Sequence, residues 1–87
     1  MTVKIYSKNA AYQKFEVLKT NRNKRYRYNE FFTEGVRNIN QAVKNGWEIN
    51  SFIFDGETKL SNWAQDMLKN VRTQTNYQLT SSLMADL

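Results

Sequence analysis

Three short apolar runs punctuate this chain: Glu30-Phe31-Phe32-Thr33, Ile49 with Ser51-Phe52-Ile53-Phe54, and Tyr77-Gln78-Leu79. Segments of helical period lie between and around them. That alternation constrains the fold most, because strands separated by helices join as βαβ units with right-handed crossovers. The expected product is a mainly parallel sheet covered by helices on both faces. Periodicity is cleanest from Lys59 to Val71, where Leu60, Trp63, Ala64, Met67, Leu68 and Val71 share one helical face. An earlier helix, Ala10 to Thr20, carries Ala11, Phe15 and Leu18 on one side, with Ser7 or Asn9 as its cap. A middle helix begins after Glu34-Gly35, presents Val36, Ile39 and Val43, and stops at Asn45-Gly46. Thr80 or Ser81 caps a last helix bearing Leu83, Met84 and Leu87. Met1 to Ser7 reads as a short extended arm. The order is helix, strand, helix, strand, helix, strand, helix.

With 87 residues there is room for one small core and not for two. The sequence has no cysteine and no histidine. Disulfides, thiolate or imidazole metal sites and imidazole general-base chemistry are thereby removed. The absence of cysteine suits a cytoplasmic location. No apolar run approaches the ~20 residues of a membrane span, and no secretory leader is visible. Gly35, Gly46 and Gly56 lie far apart and form no nucleotide-binding loop, so no cofactor is expected on this segment.

Charge is unevenly placed. Residues 1–44 hold ten Lys/Arg against three Glu, a balance of +7, whereas residues 45–87 hold three against five, a balance of −2. Such asymmetry points to a polyanionic partner, with a solvated basic face as the plainer reading. The densest cluster is Arg22, Lys24, Arg25 and Arg27 interleaved with Tyr26 and Tyr28. Three asparagines and mutual repulsion make Asn21 to Asn29 read as a loop. Lys14, Lys19 and Arg37 extend the basic set. Glu34, just before a helix, reads as a capping or ion-pairing residue, with Arg37 or a loop arginine as partner, rather than a catalytic acid.

Several pieces in register resemble the N-terminal substrate-binding domain of the SpoU (TrmH) family of RNA 2′-O-ribose methyltransferases. They are Ser7-Lys8-Asn9, the basic cluster, Phe31-Phe32-Thr33-Glu34-Gly35-Val36-Arg37, Ala42-Val43, Asn45-Gly46, the run Ile49 to Phe54, and Tyr77-Gln78-Leu79 before a Ser-rich helix start. Asn38 departs from the apolar residue the family pattern places beside Ile39. The resemblance implies a small three-layer α/β/α sandwich like that of kink-turn-binding ribosomal proteins. It implies that residues 1–87 form one RNA-substrate-binding domain, itself non-catalytic. A knotted catalytic domain is expected after Leu87, binding S-adenosylmethionine and forming the homodimer interface.

On this reading Lys14, Lys19, Arg22, Lys24, Arg25, Arg27 and Arg37 line the backbone of rRNA or tRNA, arginine forks gripping phosphate. Tyr26 or Tyr28 stacks on an unpaired base. Two other classes compete: a free-standing ribosomal-type RNA-binding protein, and a protein-interaction module using an apolar face near Trp47 or Trp63.

Overall fold

The computed structural model describes residues 1–87. Its elements are β1 (Thr2–Ile5), α1 (Ala10–Thr20), α2 (Arg22–Tyr28), α3 (Val36–Lys44), β2 (Ile53–Asp55), α4 (Asn62–Asn70), β3 (Asn76–Leu79) and α5 (Ser81–Asp86). The three strands form one sheet in the order β1-β3-β2, every pair parallel. The parallel α/β class is the one expected from the alternating pattern. No helix is long and apolar enough to cross a membrane.

Register explains the core. Val3, Tyr77 and Ile53 align across the sheet, and so do Ile5, Leu79 and Asp55. Because side chains alternate along a strand, these rows share one face. Ile5 and Leu79 are almost wholly buried there with Tyr12 and Phe15 of α1 and Leu83 of α5. Phe15 meets Tyr77 edge to face, ring centres 5.0 Å apart. Leu18 is buried too, as expected, but on the first helix Tyr12 rather than Ala11 is the most enclosed side chain. Its hydroxyl donates to the Leu83 carbonyl at 2.8 Å, so the phenol enters the core with its polar end satisfied. Asp55 closes its row by accepting from the Glu57 N–H at 2.8 Å and from the Ser81 hydroxyl at 2.8 and 2.9 Å. These hydrogen bonds, the backbone one foremost, hold its carboxyl below the usual range.

Capping sets the helix ends. Asn9, Ser61 and Thr80 each accept a backbone N–H three residues on. Gly35 precedes α3 at φ +93°, a conformation that L side chains rarely adopt.

Four expectations are corrected. The N-terminal arm is a sheet strand, because its backbone finds a ladder on β3, Thr2 opposite Asn76. Phe31-Phe32-Thr33 is not a strand: none of its N–H groups joins a ladder, and Phe31 stands half exposed. The run Ile49 to Phe54 is regular only from Ile53, since the Asn76 side chain takes the Phe52 N–H at 3.1 Å and breaks the ladder there. The fourth helix in chain order likewise starts at Asn62, later than Lys59, where Ser61 can cap it.

Candidate nucleic-acid interface

The basic cluster forms helix α2, not a loop. Asn21 makes this possible by serving two helices. Its N–H closes α1 on the Val17 carbonyl at 2.8 Å, and its side chain caps α2 by accepting from the Lys24 N–H at 3.2 Å. At the far end Asn29 enters the left-handed region, φ +54°. The N–H groups of Asn29 and Glu30 then bond back to the carbonyls of Tyr26 and Arg25 at 3.2 and 3.1 Å, the pairing of a Schellman motif. Like charges three residues apart cost a helix only ~0.2–0.5 kcal/mol per pair. Two caps, each of order 1 kcal/mol, outweigh that repulsion.

The nine candidate residues divide into two groups. Arg25 turns back on α1, its Nε donating to the Leu18 carbonyl and its Nη2 to the Lys19 carbonyl, both at 2.6 Å. Lys14 pairs with Glu30 at 2.7 Å and lies 4.8 Å from the centre of the Tyr28 ring. Lys19 pairs with Glu34 at 3.5 Å and donates to the Leu87 carbonyl. Glu34 thus takes a lysine, not the arginine expected of it. These side chains set the angle between α1, α2 and the segment that follows. By contrast Arg22, Lys24, Arg27 and Arg37 engage no carboxylate. Arg22, Arg27 and Arg37 are exposed, and Tyr26, on α2 with the first two, is 85% exposed.

Sequence reasoning missed a neighbouring feature. Phe31 and Trp47 are each about half exposed, and their rings meet edge to face at 5.1 Å. They line a cleft of about 1290 Å³ together with Arg22, Tyr26 and Tyr28 of α2. Trp47 was visible as a possible apolar contact, but its pairing with Phe31 needs the turn at Gly46 to bring the two segments together.

Comparison with known proteins follows the same lines. The family model for the SpoU L30e-like domain matches residues 9–87. A 23S rRNA (uridine(2479)-2′-O)-methyltransferase of Streptomyces viridochromogenes is 45% identical over 71 residues, which is 82% of this chain and 25% of that protein. Two crystal structures of the SpoU methyltransferase AviRb from the same organism superpose well. The complex with its cofactor AdoMet gives a TM-score of 0.82 at 40% identity over 91% of this chain and 29% of that one. The second AviRb structure gives 0.75 at 41% identity over 87% and 28%. The chain therefore spans between a quarter and a third of the length of these relatives.

Proposed function

Since the chain belongs to the SpoU L30e-like domain family, we propose that it is the substrate-binding domain of an AdoMet-dependent rRNA 2′-O-ribose methyltransferase. The observation that carries this reading is the set of unpaired cations on α2: Arg22, Lys24 and Arg27 lack acidic partners while Lys14 and Lys19 have them. Cations left free on a rigid helix are available to phosphate. Each phosphate they neutralise releases condensed counterions, which makes affinity fall with salt.

Arg25, Lys14 and Lys19 act one step back. They hold α2 against α1, so the free cations arrive as an ordered array rather than as a mobile tail. Arg37, at the start of α3 and unpaired, extends the same role. The contribution to the reaction is orientation: rRNA held here presents one ribose to a catalytic domain that follows Leu87. AdoMet would supply the methyl group in that domain, which would also form the homodimer, and the whole protein would work in the cytoplasm.

The test is RNA affinity against salt concentration for the wild type and for Arg22→Ala/Lys24→Ala/Arg27→Ala. Loss of three phosphate contacts lowers the log–log salt slope by about 2 to 3. An unaltered slope and affinity in the triple variant would remove the reading.

A further inference from the structure

The accessible surface is 6477 Å², whereas a folded monomer of 10.3 kDa exposes about 5,400 Å². Part of this excess is apolar and concentrated in one place. Among the large apolar side chains left exposed are Tyr26, Tyr28, Phe31 and Trp47, and all four line the single cleft beside α2. At about 1290 Å³ it exceeds the roughly 300–1,000 Å³ of small-molecule sites. A chain segment fits it better than a metabolite does.

Charge selects the kind of chain. Of the three carboxylates on the cleft, Glu30 and Glu34 are already held by Lys14 and Lys19. With Arg25 held by the α1 carbonyls, Arg22 is the free cation on the cleft and Glu48 the one carboxylate without a lysine partner; Lys24 and Arg27, on other sides of α2, add to the positive field of that helix without lining the cleft. Aromatic faces set beside a cationic track are what single-stranded nucleic acid uses, bases on rings and phosphates on cations. Tyr28 is partly committed to Lys14, which leaves Trp47, supported edge-on by Phe31, as the principal ring.

We propose that this cleft takes unpaired nucleotides of the RNA substrate, with at least one base stacked on Trp47. The inference rests on the RNA-binding reading above and narrows it, because duplex bases are already stacked and cannot use such a platform.

Trp47 and Trp63 are the only tryptophans. The Nε1 of Trp63 is bonded to Asn40 at 2.8 Å, away from the cleft. In a Trp63→Phe background emission therefore reports on Trp47. The probes are a mixed-sequence single strand of about 12 nucleotides, within the span of one such groove, and the same strand annealed to its complement. The single strand is expected to quench Trp47 and to bind roughly 10-fold or more tighter than the duplex. Trp47→Ala weakens the single strand by about 5- to 150-fold and leaves duplex binding alone. Trp47→Tyr retains most of the affinity, which decides the matter should the alanine variant misfold by circular dichroism. Equal binding of both probes, indifferent to Trp47 but lost in Arg22→Ala/Lys24→Ala/Arg27→Ala, overturns the platform and spares the RNA reading. Binding of neither probe overturns both. Emission that follows protein concentration instead of RNA overturns the platform in favour of a protein occupant.

Discussion

The hydroxyl of Tyr12 donates to the backbone carbonyl of Leu83 across 71 residues of sequence, at 2.8 Å. This bond ties the first helix to the last beneath the sheet and is fully enclosed. Replacing Tyr12 by Phe keeps the ring and removes the bond, while the Leu83 carbonyl still accepts from the Leu87 N–H at 3.1 Å. The loss is therefore that of one net hydrogen bond, about 0.5–1.5 kcal/mol, and each 1 kcal/mol lowers Tm by about 4–8 °C in a domain this size. Thermal unfolding of Tyr12→Phe is expected to show that drop. A Tm equal to the wild type's would mean the bond contributes nothing net. Burial also raises the Tyr12 pKa. Stability that depends on the neutral phenol is thus complete below the ordinary tyrosine pKa and declines as pH rises from there toward the raised value.

Arg25 separates architecture from binding. Its two bonds to the α1 carbonyls predict that Arg25→Ala costs about 1–3 kcal/mol, as for charge-assisted bonds. Arg27→Ala, whose side chain makes no ion pair or hydrogen bond within the domain, is expected to stay within about 0.5 kcal/mol of wild type. Urea midpoints check this: equal shifts for the two variants contradict the assignment. RNA titrations should rank them the other way, with Arg27→Ala reducing the salt slope.

Asp55 makes acid stability readable. Its carboxyl is depressed by the Glu57 N–H and the Ser81 hydroxyl, so the ionised form is the one folding favours. That stabilisation is present above the unfolded aspartate value of about 3.9. It is lost as pH falls through the lower folded pKa. Asp55→Asn is expected to flatten the pH dependence of Tm below about pH 4. A variant whose acid limb matches wild type would show that other carboxylates control it.

Gly35 carries φ +93° with open space where a Cβ would go. Gly35→Ala therefore meets no neighbour, and any loss is backbone strain, of order 1–3 kcal/mol. Gly56 is the opposite case: a Cβ there would lie 2.3 Å from the Gln78 side chain. Gln78→Ala should relieve Gly56→Ala and leave Gly35→Ala unchanged. Stability measurements on the double variants test that coupling.

Helical segments with a wide apolar stripe and a capping residue were the most legible part of the sequence. Asn9, Thr80 and the Asn45-Gly46 stop all act where local chemistry placed them. The basic cluster was legible as a surface but not as a helix. Its shape depends on Arg25 reaching carbonyls of another helix and on Asn29 accepting positive φ, neither of which charge density reveals. Phe31-Phe32 had the composition of a buried strand, yet the segment joins no ladder: β2 pairs with β3 alone and its outer edge carries no strand, an outcome that composition does not reveal.

The order of residues alone settled the parallel α/β class and the excess of cations in the first half, because periodicity and charge are properties of the chain itself. Three matters awaited the folded molecule: that Thr2–Ile5 joins the sheet, that Lys14 and Lys19 are neutralised while Arg22 and Arg27 are not, and that Trp47 meets Phe31 beside them. Each is a meeting of residues remote in sequence. Their pairing is decided by which partners the packed core brings within a few ångströms, and no local propensity encodes that distance.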